Sequence, residues 1–199
     1  MQLFLNRTSP YARVARIVAL EKGLESNLLL LWSDPWADEP DLLQRNPVGR
    51  VPILVTDDGQ NIAESLLIAL YLDQASDINN LIPANDLAQT LHIVGLGQGL
   101  MDASFSTMIM RKHHGNEIDA SILGQRRQRA IERTLLSLNE TYSTLPADRL
   151  TLAEIVVAVA LDYIAFRLPQ VEWQQKNAAL IALHERMKKR ESFSQTVFA

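Results

Sequence analysis

Three short groups of residues carry the chemistry of this chain. Ser9 stands immediately before Pro10, placing a hydroxyl where an apolar helical pattern begins. Glu64-Ser65 stands where a polar strand end gives way to the run Leu66-Leu67-Ile68-Ala69-Leu70-Tyr71-Leu72. An acid, a hydroxyl and several unpaired backbone N–H groups then share one helix N-terminus, a natural seat for a carboxylate. The third group is Asn46-Pro47-Val48-Gly49-Arg50-Val51-Pro52, ahead of Ile53-Leu54-Val55. Pro52 cannot donate a ladder hydrogen bond, so it belongs at the start of an edge strand or in a special turn. Cysteine is absent from the sequence. That removes disulfides, thiolate metal sites and any cysteine nucleophile, so thiol chemistry here requires a ligand that brings the sulfur.

The elements that must position these groups alternate in type. Leu3-Phe4-Leu5 reads as a short strand. Tyr11, Val14, Ala15 and Val18 fall at i, i+3, i+4 and i+7, one helical face, with Pro10 suited to the first turn and Gly23 to the stop. Leu28 to Trp32 is a continuous apolar run, which predicts a strand covered on both faces, with Trp32 in the core. Residues 33–44, rich in Asp and Pro, predict a loop with one irregular helix, and Trp36 within it is a candidate to edge the site. Ile53-Leu54-Val55 and Asn61-Ile62 flank Asp57-Asp58-Gly59-Gln60, a hairpin turn signal, and a helix follows near Glu64. A βαβ unit followed by ββα is the order of the thioredoxin-like fold.

A polar stretch at 76–84 reads as a linker, and only long helical patterns follow it. These lie near 85–113, with Gly95, Gly97 and Gly99 as candidate bend points, and near 119–145, 151–166 and 174–190. The third opens on Thr151-Leu152-Ala153-Glu154, a capping box, and its run Ile155 to Leu161 is apolar all round, which predicts the centre of a bundle. The expected organisation is a thioredoxin-like domain over 1–75, a linker over 76–84 and an all-helical domain over 85–199. With 47% hydrophobic and 21% charged residues and a net charge of −4, the composition is that of a soluble globular protein. It gives no global drive toward nucleic acid or anionic membrane. No apolar run reaches the roughly 18 residues a membrane span needs. The N-terminus does not read as a secretory signal, so a cytoplasmic address is expected. His113 and His114 are adjacent and point apart on a helix, and His92 and His184 lack partners at ligand spacing, so no metal site is expected. The basic clusters Arg126-Arg127-Gln128-Arg129 and Lys188-Lys189-Arg190 read as solvated helix faces.

Taken together, Thr8-Ser9-Pro10-Tyr11-Ala12-Arg13, Asn46 through Pro52, Glu64-Ser65, the capping box and Arg190-Glu191-Ser192-Phe193 resemble the cytosolic glutathione S-transferase family. They are most similar to its bacterial subfamily with Ser-Pro-Tyr or Ser-Pro-Phe at the first helix. The resemblance covers essentially the whole chain. It implies an enzyme that binds glutathione as co-substrate, stabilises its thiolate and conjugates it to a small electrophile, working as a homodimer. It also implies a cis Val51–Pro52 bond, with the preceding backbone pairing the cysteinyl part of glutathione. Glu64 and Ser65 would hold the γ-glutamyl end, and Arg50 the glycyl carboxylate. Ser9 would donate to the sulfur, with Thr8 and Asn6 as neighbouring alternatives. Tyr11, Met101, Ser104, Phe105 and Met108 are candidates for the electrophile pocket.

Each of these residues has a plainer role open to it. Ser9 also suits a simple helix cap, and Glu64-Ser65 a simple helix start. Arg50 could be a solvated surface residue, and the stripe Met101, Ser104, Phe105, Met108 could be core at helical spacing. Leu66 and Leu67 occupy positions where many relatives carry a basic residue. Two other functions remain on the same scaffold. One is glutathione-dependent reduction of a disulfide or peroxide. The other is a non-catalytic binding module like the bacterial starvation-response proteins, which tend to lose the acid–serine pair that is intact here. The identity of the electrophile is not written in the sequence.

Overall fold

Strand β1 (Gln2–Leu5) lies inside a four-stranded sheet of order β2-β1-β3-β4, with β2 at Leu29–Trp32, β3 at Ile53–Val55 and β4 at Asn61–Ala63. The computed structural model describes all residues, Met1–Ala199. The β1–β2 pair is parallel, whereas β1–β3 and β3–β4 are antiparallel. Helix α1 (Pro10–Glu21) makes the crossover from β1 to β2, α2 (Pro40–Arg45) lies between β2 and β3, and α3 (Ser65–Gln74) follows β4. This is the thioredoxin-like arrangement. Alternation along the strands sends Phe4, Ile53 and Val55 into one cluster with Leu42 of α2, Val51 and Leu31. Leu3, Leu5 and Leu54 take the opposite face, and α1 packs against α3.

Two expectations for β2 and its aromatic end fail. The strand lies at the sheet edge, and Leu29 and Trp32 are 57% and 43% exposed. A continuous apolar run therefore did not mean burial on both faces. Trp32 instead lies beneath two guanidinium groups, Arg7 at 4.2 Å and Arg16 at 5.8 Å from its ring centre. Such cation–π contact lets an aromatic ring remain at the surface.

The chain divides into two compact units, Met1–Pro83 with Glu191–Ala199, and Ala84–Arg190. Residues 76–83 of the expected linker belong to the first unit. Lys22 Nζ meets the Asp73 carboxylate and the Asn79 carbonyl, each at 2.9 Å, and Asp73 also accepts from the Leu81 N–H. At 1% and 4% exposed, the Lys22–Asp73 pair is a buried ion pair whose polar groups are answered on both sides. The C-terminal residues also belong to this unit rather than to the helical one. Buried Arg13 donates to Thr196 Oγ1 at 3.3 Å and lies over the Phe193 and Phe198 rings, while Ser192 Oγ donates to the Glu21 carboxylate. Helix α8 (Glu191–Ser194) carries Ser192 and Phe193, and Thr196 and Phe198 follow it.

The second unit contains α4 (Leu87–His114), α5 (Ile122–Tyr142), α6 (Leu152–Arg167) and α7 (Ala178–Lys188). Every residue from Leu152 to Leu161 is buried, so α6 is the core of the bundle. Its capping box is complete: the Thr151 hydroxyl accepts from the Ala153 N–H, and Glu154 accepts from the Thr151 N–H at 2.6 Å. Fully buried Glu154 also receives the Tyr142 hydroxyl and lies 3.3 Å from Arg149. Helix α4 runs unbroken through its glycines. Gly97 has a packing reason, because a Cβ there would meet Val156 and Val157 of α6 at 3.0 Å. No helix is long and apolar enough to cross a membrane.

Candidate functional site

Strand register brings the sequence-predicted groups to one end of the sheet. Phe4 pairs Ile53 and Ile53 pairs Ala63, so the residues after β1, before β3 and after β4 leave the sheet together. Those are Asn6–Ser9, Val51-Pro52 and Glu64-Ser65. The register Leu5↔Trp32 adds the end of β2, with Arg7 and Arg16 over the indole. Burial lowers the Arg16 pKa, with Arg7 adding to the effect and Glu25 opposing it. Arg7, Arg16 and exposed Arg50 give this end a cationic character that Glu64 interrupts.

Asn46 builds the approach to Val51. Its side chain accepts from the Val48 N–H at 3.2 Å and donates to the Arg50 carbonyl at 3.1 Å, while its carbonyl accepts from the Gly49 N–H. Gly49 turns the chain at φ +68°. The Val51–Pro52 bond is cis, as the resemblance implies. Ladder pairing stops at Ile53, and the Val51 N–H and C=O make no hydrogen bond within the protein, although Val51 is only 8% exposed. The Val51 side chain packs into the sheet cluster, while its peptide is a hydrogen-bonding edge that the protein itself leaves unused.

Glu64 is the N-cap of α3 at φ +71° and ψ 121°. A non-glycine residue there stores about 1–3 kcal/mol of strain, and such residues cluster at functional sites. The first intrahelical bond runs from the Ile68 N–H to the Glu64 carbonyl, which leaves the Ser65, Leu66 and Leu67 N–H groups open. Neither the Glu64 carboxylate nor the hydroxyl of buried Ser65 has a partner within the protein, and Glu64 does not cap the helix with its side chain.

The three polar neighbours before α1 separate by their bonding. Thr8 Oγ1 donates to Asn6 Oδ1 at 2.8 Å, and Asn6 Nδ2 donates to the Ser33 carbonyl at 3.2 Å. Ser9 caps α1, its oxygen accepting from the Ala12 N–H at 3.2 Å. A hydroxyl that accepts one bond still carries a donor, and the Ser9 proton has no acceptor within the protein. Capping and donation are therefore compatible in one side chain.

Sequence comparison places these features in context. The model for the glutathione S-transferase N-terminal domain matches residues 8–75, which contain Ser9, Val51-Pro52 and Glu64-Ser65. An uncharacterised GST-like protein of Escherichia coli K12, YibF, is 32% identical over 98% of both chains. The chain belongs to the glutathione S-transferase family. Solved structures agree. A glutathione S-transferase from Methylobacillus flagellatus with glutathione bound has a TM-score of 0.90 at 26% identity, over 100% of this chain and 99% of that one. A family member from Pseudomonas fluorescens Pf-5 with bound glutathione has a TM-score of 0.89 at 32% identity, over 98% and 97% of the two chains.

Within the transferase fold, the residues named for an electrophile divide. Met101 and Ser104 are fully buried, and Ser104 Oγ donates to the Leu100 carbonyl at 2.7 Å. Half-buried Phe105 sits 6.4 Å from the ring of Tyr163, whose phenol is pushed up to about 12 by burial. Met108 lines a hollow of about 450 Å³ with Phe166, Arg111 and Lys112. Tyr11 is half-buried on α1, and Trp36 is exposed. His184 does have an acidic partner, Asp162, which lies 22 residues back, beyond any local ligand spacing. No three His, Asp or Glu side chains group as metal ligands would.

Proposed function

We propose that this transferase-family chain binds glutathione at the open end of the sheet, stabilises its thiolate with Ser9 and adds the sulfur to a small electrophile. We extend the reading to the bacterial subfamily with Ser-Pro-Tyr at the first helix. The observation that carries it is the unpaired peptide of buried Val51, one step beyond the ladder. An extended peptide laid along that edge restores both hydrogen bonds, as strand addition does elsewhere. The γ-glutamyl carboxylate then takes the Ser65 hydroxyl and the open N–H groups of α3, and Glu64 takes the α-ammonium. Arg50 supplies charge for the glycyl carboxylate. Glutathione bound by the relatives from M. flagellatus and P. fluorescens supports the choice of tripeptide.

The chemistry follows from thiol ionisation. A free thiol with a pKa of about 8.5 is mostly protonated at neutral pH, and its thiolate is the nucleophile. The Ser9 O–H and the N-terminus of α1 both favour the charged sulfur. Holding thiolate and electrophile together adds proximity. Among the pocket candidates on α4, Phe105 and Met108 keep exposed surface for an electrophile, whereas Met101 and Ser104 support them from the core.

Calorimetric titration with glutathione and with cysteinylglycine tests the reading. Glutathione should bind at millimolar or lower concentration, and the truncated peptide about tenfold or more weaker, because Glu64 and Ser65 lose their ligand. Equal affinity for the two, or no glutathione binding, removes the proposal. The homodimer is likewise a proposal. It is supported by Leu67, Leu70 and Tyr71 on α3 and Leu87 and Leu91 on α4, apolar side chains left in solvent at helical spacing.

A further inference from the structure

The helical unit holds a second, larger cavity that the glutathione reading does not use. Its volume is about 620 Å³, and every lining residue lies between Thr107 and Asn177. That is within the size range of small-molecule sites. Ile131, Leu135, Leu168 and Val171 give it an apolar wall. Asp119 is neutralised by Arg111, which donates to it from Nε at 2.9 Å. The remaining charges at the lining are Glu132, Glu172 and Lys176, so the cavity offers no cationic excess for an anion.

Two lining residues carry buried polar atoms with no partner in the protein. Trp173 is 3% exposed and Asn177 5% exposed, and Trp173 Nε1 and Asn177 Oδ1 are both left without a hydrogen bond. One is a donor and the other an acceptor. Asn177 Nδ2 donates to the Trp173 carbonyl at 2.6 Å, which fixes which end of the amide is the oxygen. That oxygen has also been relieved of its ordinary task. Asn177 is the N-cap residue of α7, yet the cap is made by Asn139 of α5, whose Oδ1 accepts from the Ala179 N–H at 3.0 Å. The Trp173 ring is held edge-on to His184, with centres 5.3 Å apart, so the indole is fixed in place.

We propose that this cavity binds an uncharged, mainly apolar small molecule whose head both accepts and donates a hydrogen bond, as a primary amide does. The head bridges Trp173 Nε1 and Asn177 Oδ1, and the apolar body lies against Ile131, Leu135 and Leu168. A neutral ligand is favoured because a charged head would be desolvated without an ionic partner.

Nuclear magnetic resonance on the full chain tests this with benzamide, toluene and benzoate as probes. The three tryptophans give three indole N–H signals, and Trp173→Phe assigns the one that matters. Benzamide should shift the Trp173 signal saturably, leaving Trp32 and Trp36 unmoved. Toluene and benzoate should each bind at least about fivefold more weakly, since neither supplies both partners without charge. Leu135→Phe, which alters the apolar wall and leaves Trp173 and Asn177 as they are, should weaken benzamide binding at least about threefold. If that variant fails to fold, Leu136→Trp at the exposed rim serves instead. No saturable shift with benzamide, equal binding of toluene, or a binding curve unchanged in the cavity-wall variant each overturns the proposal. In the first case the polar pair holds internal water only.

Discussion

Replacing Ser9 by Ala and by Asp separates the two tasks assigned to one hydroxyl. The oxygen accepts from the Ala12 N–H at 3.2 Å, a helix cap, and in the proposed complex its proton goes to the glutathione sulfur. Ser9→Ala removes both. Loss of the cap costs about 1 kcal/mol, which lowers the melting temperature by roughly 2–4 °C in a chain of this size. Loss of the donor raises the pKa of the bound thiol. A hydrogen bond to a charged group is worth about 1.5–3 kcal/mol, and a pKa unit about 1.4 kcal/mol. Ser9 is only half-buried, so the lower end applies and the thiol pKa rises by about one unit. Ser9→Asp keeps an oxygen for the Ala12 N–H and so retains the melting temperature, but it sets a carboxylate beside the sulfur and raises the thiol pKa at least as far.

The assay is the pH dependence of thiolate absorbance and of conjugation rate in the glutathione complex. On the proposed reading the thiol pKa is held down in the wild type, so both variants should lose about tenfold in rate below the wild-type pKa and converge on wild type once the pH exceeds the raised value. A Ser9→Asp protein with wild-type thiol pKa and turnover would show that the hydroxyl caps the helix and does nothing else. Parallel loss of melting temperature and activity in Ser9→Ala, with Ser9→Asp fully active, would say the same.

Other consequences follow from packing and charge. Gly97→Ala should destabilise the protein by about 1–3 kcal/mol in urea unfolding, because its Cβ would press on Val156 and Val157 at 3.0 Å. Gly95→Ala and Gly99→Ala, in the same helix with nothing within 4 Å, should instead stabilise it by about 0.5–1 kcal/mol each. Burial first, and the Glu154 charge second, push the Tyr142 phenol above its ordinary pKa. Stability is then fully present below about pH 10 and falls at higher pH by up to roughly 1.4 kcal/mol per unit, as the unfolded phenol ionises and the folded one does not. Tyr142→Phe should flatten that alkaline decline in chemical unfolding. Leu70→Glu on α3 should leave glutathione affinity unchanged yet shift the mass measured by light scattering to that of one chain, if the exposed apolar row is a dimer face.

Much of the fold was legible because local signals agreed with tertiary ones. Pro10 and Gly23 bracket α1, Asp58-Gly59 turns the β3–β4 hairpin, and Thr151–Glu154 starts the buried helix. Failures came where distance in sequence hid the partner. An apolar run such as Leu28–Trp32 does not say whether a second layer covers it, and guanidinium groups from Arg7 and Arg16 covered Trp32 instead. The tail 191–199 looked like the end of a helical domain, yet Arg13 and Glu21 lie some 170 to 180 residues earlier in the chain and hold it on the first unit. Only the fold could show that Lys22 reaches Asp73 and Asn79 and thereby absorbs the linker.

At the candidate site the residue types were legible, but their availability was not. Sequence leaves Asn6, Thr8 and Ser9 as three equivalent polar side chains ahead of α1. Bonding distinguishes them: the Thr8 proton is taken by Asn6, the Asn6 amide is taken by Ser33, and only Ser9 keeps a donor without an acceptor. Open valence also separates Val51, whose peptide lies past the last ladder pair, from Ile53, which spends its own on both neighbouring strands. The same criterion picks out Trp173 and Asn177, which no motif marks, because Asn139 took the capping task that an asparagine at that position ordinarily performs. A polar group becomes a candidate for recognition when the fold buries or orients it and then withholds its partner, and that withholding depends on contacts many residues away. Sequence supplies the groups, and the tertiary structure decides which of them remain unspent for a ligand.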